Sequence, residues 1–199
     1  LLHVHFGMTG IPNFGVVGFW GLGLYGTGVL YVEFGVPLVI AIAVASVVSG
    51  LVAYALAYLV LQRSGQAVLA ATLALAAIVA TLGVTVKELT IGVQGLGRIG
   101  YPCPDLESRI LLYLGVLLAV VVALIWGSAK LRDSRLGRIL VAIRDNEELA
   151  ASLGKDTAGT KRMTFVVTCA LMGVLGGLSA PLHQFLVPYL LAPSLTFAV

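Results

Sequence analysis

Charge is what this 199-residue sequence most lacks beside a soluble domain: Asp, Glu, Lys and Arg make up 11% of it, against roughly a quarter there. With 59% hydrophobic residues and a mean hydropathy of +1.05, a soluble domain is excluded and a membrane protein indicated. Cysteine is also scarce. Cys103 falls in a polar loop and Cys169 in an apolar run, which places them at different depths and leaves neither a disulfide framework nor metal-ligand spacing. His3 and His5 stand two apart with no carboxylate nearby and no HExxH-type pattern, so a metal-dependent membrane enzyme lacks its ligands. No glycine run is followed by the Lys and Ser or Thr of a phosphate loop. The certain spans hold no ionisable residue and no internal repeat is visible, which argues against a proton relay or a secondary transporter.

The few charges are unevenly placed. A net charge of +3 would suit nucleic acid, but eight of the twelve Lys and Arg (Lys130, Arg132, Arg135, Arg138, Arg144, Lys155, Lys161, Arg162) share one stretch with Asp133, Asp145, Glu147, Glu148 and Asp156. A nearly balanced loop beside lipid reads as a positive-inside loop, and no nucleic-acid partner is expected.

What is present is long apolar runs. They are continuous rather than alternating, so the spanning elements are helices and not barrel strands. Counting apolar residues against the roughly twenty that cross a bilayer predicts an all-α, polytopic transmembrane bundle with about five spans, at 14–32, 36–62, 66–86, 110–126 and 163–187. Residues 1–199 form one transmembrane domain, interrupted by a cytoplasmic loop at 127–162. Starting at Leu1 without a signal region and stopping at Val199 inside an apolar stretch, the chain reads as an internal piece of a longer protein. Putting loop 127–162 in the cytoplasm places nine Lys or Arg inside, Arg63 included, against Lys87, Arg98 and Arg109 outside. The chain up to Asn13 would then also be inside.

Small residues mark several spans. Ala41, Ala45, Ser49, Ala53 and Ala57 recur every fourth residue, a stripe that either lets another helix approach closely or reflects composition alone. The first span and its approach carry Gly15, Gly18, Gly21, Gly23, Gly26 and Gly28 after IPNFG; a half-helix or re-entrant turn and a tightly packed helix fit equally. Gly173, Gly176, Gly177 and Ala180 form overlapping small-xxx-small pairs suited to packing. Thr72 and Thr81 could face a solute path or bond back to their own helix, and His183 is open to either reading. The outer loop KELTIGVQGLGRIGYPCP (87–104) is either a plain turn or the wall of a pathway.

Residues 144–163, RDNEELAASLGKDTAGTKRM, are polar between uncharged runs. Asp145 three residues before Glu148 resembles a capping box, and Gly154 can end a helix, so a short helix is predicted at about 146–153. Leu149 and Leu153, spaced i and i+4, give it a small apolar face, too narrow for an interfacial anchor and better suited to a groove on a soluble partner.

This loop resembles that of ABC importer permeases, in particular the branched-chain amino-acid permeases. The matching residues are Gly137 and Arg138, Ala142 to Arg144, Asn146 and Glu147, Ala150 and Ala151, Leu153 and Gly154, and Lys161. GMTGIPNFGVVGFWGLGLYG and ELTIGVQGLGRIGYP resemble two further family segments, departing from them at Val16 and Ile91. The resemblance runs from about Phe6 to Pro193. It implies a permease subunit of an ATP-driven importer of branched-chain or related amino acids in the cell inner membrane, and no enzyme. The alternatives are an ABC permease for urea or short amides, or a non-ABC channel or structural subunit. It further implies that Arg144, Asn146, Glu147, Glu148, Ala150, Ala151, Leu153 and Gly154 couple to an ATPase, and that Asn13, Gly15, Thr72, Thr90, Gly92 and Gly95 are candidates for the translocation path. The implied partners are ABC ATPase subunits, a second and related permease, an extracytoplasmic solute-binding protein and membrane lipid. ATP and Mg would sit on the ATPase, with no cofactor or metal in this chain.

Overall fold

A computed structural model describes residues 3–61, 65–85, 96–97, 106–182 and 185–186. They form a helical bundle built around one glycine-rich helix. After a π-helical turn, His3–Thr9, come α1 (Val16–Val32), α2 (Leu38–Val60) and α3 (Gly65–Thr85). Then follow α4 (Leu106–Asp133), α5 (Arg135–Asp145), α6 (Glu147–Ser152) and α7 (Thr157–Ser179). Two-residue strands, β1 (Leu96–Gly97) and β2 (Phe185–Leu186), pair antiparallel. Helix is the form in which a lone apolar segment satisfies its own backbone in lipid, and four stretches are long and apolar enough to cross: Leu38–Val60, Gly65–Gly83, Tyr113–Asp133 and Thr157–Leu182.

The fifth expected span, α1, is a special case. Its 17 residues make about 26 Å of helix, short of a bilayer's hydrocarbon core. It has no need to face lipid, because α2, α3 and α7 surround it and most of its residues are buried. Of the two readings of its glycines, close packing holds within the helix. A Cβ built on Gly23 would collide with the Gly173 carbonyl oxygen, and one on Gly176 with that of Trp20. Backbone thus meets backbone where α1 crosses α7, as small-xxx-small pairs permit. The α2 stripe is a packing face as well, with Ala41, Ala45, Ser49, Ala53 and Ala57 all buried toward α1 and α7. Ile11, Phe19, Ala53, Ala57, Val68, Phe165, Cys169 and Met172 form the main core, in which the Phe19 and Phe165 rings meet edge to face at 6.0 Å.

Three boundaries differ from expectation. The span placed at 110–126 belongs to a helix that runs on to Asp133, because nothing in Gly127–Asp133 stops it until Ser134. Ser134 accepts from the Gly137 amide at 3.1 Å and donates to the Leu131 carbonyl at 2.6 Å, ending α4 and starting α5. The region expected to be loop, 127–162, is therefore mostly helix. The last span begins at Thr157 rather than 163, with the Asp156 carboxylate accepting from the Gly159 amide at 2.8 Å as its N-cap. Among the described residues, α4 packs chiefly on α5, and its apolar stretch is not covered by the bundle.

Candidate functional site

The polar end of the bundle is assembled by α5, α6, the start of α7 and the π-helical turn. Helix α5 has apolar residues at Leu136, Ile139, Leu140 and Ile143, the i, i+3, i+4, i+7 pattern of an amphipathic helix, with Arg138 among them and Arg135 and Arg144 on either side. Its inner face buries Leu140 and Ile143, and Leu140 joins Val4 and Met8 of the turn and Leu131. Gly137 is obligatory at the fold-back, since a Cβ there would collide with the Leu131 and Arg132 carbonyls. Arg144 donates to the Gly7 carbonyl and pairs with Asp145 at 3.0 Å, fastening the turn to the end of α5.

Helix α6 is short and doubly capped. The expected cap, Asp145, is instead the last residue of α5; the side chain that caps α6 is Asn146, whose Oδ1 accepts from the Leu149 amide at 3.0 Å. The reason lies in the backbone. Asn146 is extended (φ −157°, ψ 101°), the conformation an N-cap requires, while Asp145 remains helical and its carboxylate is taken by Arg144. At the other end Gly154 has φ +76°. Its amide donates to Ala151 O at 2.9 Å and that of Lys155 to Ala150 O at 3.2 Å, the 5→2 and 6→1 bonds of a Schellman motif. A six-residue helix does not stand alone in water. Its caps, the burial of Ala150 and an ion pair from Lys161 of α7 to Glu147 hold it in place.

The expected coupling residues are thereby sorted. Glu147, Glu148, Leu149, Ala151, Leu153 and Gly154 are exposed, with Leu149 at 57% and Leu153 at 72% forming the predicted apolar pair. Ala150 points into the bundle, and Arg144 and Asn146 spend their polar groups on the turn and the cap.

Beneath this platform lies a buried polar node. Asn13 and Thr72 are 1% and 0% exposed. The Asn13 Oδ1 accepts from the Gly15 amide at 2.9 Å, and its Nδ2 faces Cys169 Sγ at 3.7 Å. The Phe14 amide donates to Thr72 Oγ1 at 3.2 Å, and that hydroxyl donates to its own helix at Leu69 O, 3.0 Å. Side chains of α3 and of the loop thus satisfy amides that the non-helical approach to α1 leaves open, the condition for irregular backbone at membrane depth. Three of the path candidates, Asn13, Gly15 and Thr72, meet here; Thr90, Gly92 and Gly95 lie outside the described residues, as do Cys103 and His183. Thr81 bonds back to Ala77 O at 2.8 Å.

A second buried polar pair, His5 and Thr168, is one that the sequence pattern does not mark as path or coupling residues. The Thr168 hydroxyl donates to Thr164 O at 2.7 Å, leaving a lone pair for the His5 Nε2 proton, and the imidazole stands edge-on to Phe165 at 5.3 Å. Burial holds the His5 pKa down from 6.5 to about 4, so the ring is neutral. The one sequence signal for this pair is a polar residue in an otherwise apolar helix turn at Thr168. Among the described residues no group of His, Cys, Asp and Glu could hold a metal.

Residues 2–199 match the family model for the permease component of branched-chain amino-acid transport systems. The chain belongs to that permease family. It is 28% identical, over 99% of its length, to the high-affinity branched-chain amino acid transport system permease protein LivM of Salmonella typhimurium, and 27% identical to LivM of Escherichia coli. In each case it spans about half the relative, 51%. No solved structure matches the chain. Family membership and four helices long and apolar enough to cross a bilayer make this permease-family chain an integral membrane protein, with the capped helix α6 at the polar end of its bundle.

Proposed function

We propose that this chain is part of a permease subunit of an ATP-driven importer in the cell inner membrane, carrying branched-chain or related amino acids, and that α6 is its contact with an ATPase subunit. The observation that carries the reading is α6 itself: a short, doubly capped helix at the polar end, presenting Glu148, Leu149, Ala151 and Leu153 outward. The bundle gains little from those side chains. A soluble partner gains an apolar pair in a charged frame, which sets register through charge-assisted contacts. The names of the relatives support the solute class, and helices α1, α2 and α3, which hold no Asp, Glu, Lys, Arg or His, fit a neutral or zwitterionic solute.

Movement of α6 has two outlets. The Lys161 to Glu147 ion pair leads directly to α7, which packs along α1 and α2. Arg144, through Gly7, leads to the turn that precedes the node at Asn13. ATP and Mg²⁺ belong to the ATPase; a related permease and an extracytoplasmic binding protein complete the importer. The test is co-purification of the full-length protein with the ATPase encoded beside it. Glu148→Arg and Ala151→Trp, both at exposed positions, should abolish the complex while the permease stays folded by thermal melting. An ATPase that remains bound to both variants would refute α6 as the contact.

A further inference from the structure

The outer surface where α2 meets α7 carries two adjoining depressions that share one residue, Arg162. The first, a cavity of about 220 Å³ at the polar end, is lined by Leu61, Glu147, Ala158, Lys161 and Arg162. The second, about 300 Å³, continues along the helices past Tyr54, Met163, Val166 and Val167 and is almost wholly apolar. Since α2 ends and α7 begins at the polar end, the groove runs from there toward the membrane interior. Its charge is defined. Glu147 is paired with Lys161, whereas among the described residues Arg162 has no carboxylate partner and its buried Nε has no hydrogen-bond acceptor. The guanidinium lies over the Tyr58 ring at 5.3 Å, which orients it without neutralising it. A buried, unsatisfied cationic donor is costly, and the side chain that carries it lines both a cavity of headgroup size and the apolar trough beside it. Exposed Tyr54 and Tyr58 sit as aromatic side chains do at a membrane interface.

We infer that the α2–α7 crevice is a binding site for one anionic phospholipid, its phosphate accepting from Arg162 and an acyl chain lying along Met163, Val166 and Val167. Charge complementarity selects this occupant: zwitterionic lipid brings its own cation to a pocket that already has an uncompensated one, and a soluble anion leaves the trough uncovered. Basic pockets between spanning helices recognise lipid headgroups in this way. Because Lys161 is divided between Glu147 of α6 and the pocket, the lipid touches the same ion pair that steadies α6.

The test uses full-length protein in mild detergent, with phosphatidylglycerol or phosphatidylcholine of identical acyl chains added and bound lipid counted by native mass spectrometry. Phosphatidylglycerol should be retained about fivefold better, the weight of one basic side chain at an anionic surface. Arg162→Gln should erase that preference, and Glu147→Gln, which frees Lys161, should increase it. Val167→Trp, at a residue 48% exposed and so tolerated by the fold, should lower phosphatidylglycerol retention by filling the trough. It keeps the test decisive if Arg162→Gln is poorly folded. Excess inorganic phosphate should leave the lipid in place. Equal retention of the two lipids, an undiminished preference in Arg162→Gln, undiminished retention in Val167→Trp, or displacement by phosphate would each overturn the site.

Discussion

Single atoms decide how closely the two central helices of this bundle approach. Gly23→Ala puts a methyl group into the Gly173 carbonyl, and since both sides of the contact are backbone, neither can rotate away. Overpacking of this kind costs roughly 1–3 kcal/mol, so the melting temperature of the full-length protein should fall clearly. Gly115→Ala is the matched control, because nothing lies within 4 Å of a Cβ there. It should be neutral or slightly stabilising, alanine being the better helix former by about 1 kcal/mol. His5 gives the second prediction at this scale. A ring whose pKa falls from 6.5 to about 4 on folding binds fewer protons folded than unfolded between those values. Its contribution is therefore fully present above pH 6.5 and lost as pH falls toward 4, at about 1.4 kcal/mol per pH unit and roughly 3 kcal/mol in all. Melting temperatures measured from pH 7.5 to 4.5 should show the loss in the wild type and a flatter profile in His5→Gln. Parallel curves would mean that the imidazole is not buried neutral.

At the scale of the element, α6 depends on its two ends. Asn146→Ala removes the side chain that caps Leu149, at a cost of about 1 kcal/mol. Gly154→Ala forces a Cβ into the left-handed region, at about 1–2 kcal/mol. Both should raise amide hydrogen exchange across 147–152 while leaving α7 protected, and both should weaken ATPase binding without altering the outward-facing Glu148, Leu149, Ala151 and Leu153. A variant that exchanges like the wild type would show that the bundle, not the caps, holds α6. The helix itself was legible from the sequence because caps are local: Gly154 announces its end whatever lies around it. The N-cap lies one residue beyond the one the sequence pattern suggests, since Asp145 and Asn146 are both good caps and the choice falls to Arg144, which claims Asp145 and whose own position is set by distant Gly7. Helix α5 went unread for a different reason. Its amphipathic period is plain in Leu136, Ile139, Leu140 and Ile143, but the surrounding arginines give the segment the look of a loop. The buried node was only half visible. Asn13 and Thr72 stand out as polar residues near or within apolar runs, whereas their meeting depends on α3 packing beside the start of α1, which no local pattern encodes.

Across the whole molecule, the alternation of helices makes a statement about sides. Helix α1 leaves the polar end and α2 returns to it: Phe34, between them, is 66% exposed at the far end, while Leu61, just after α2, and Glu147 of α6 line one cavity. Charge supplies the polarity of this axis. Eight of the twelve Lys and Arg, from Lys130 to Arg162, belong to segments at the α6 end, and short loops rich in these residues remain in the cytoplasm. Leu153→Cys and Phe34→Cys, each introduced singly into a full-length protein with Cys103 and Cys169 replaced, therefore lie on opposite faces of the membrane. In intact cells a membrane-impermeant maleimide should label Phe34→Cys and spare Leu153→Cys, and after permeabilisation it should label both. The reverse pattern would turn the bundle over and put α6 beyond the reach of any cytoplasmic ATPase, removing the motor contact and leaving the packing of α1 against α7 untouched. Labelling of both in intact cells would break the alternation itself. Because α1 is the shortest of the apolar helices and is enclosed by its neighbours, that result would mean that it does not carry the chain across, and the side of every later helix would have to be reassigned.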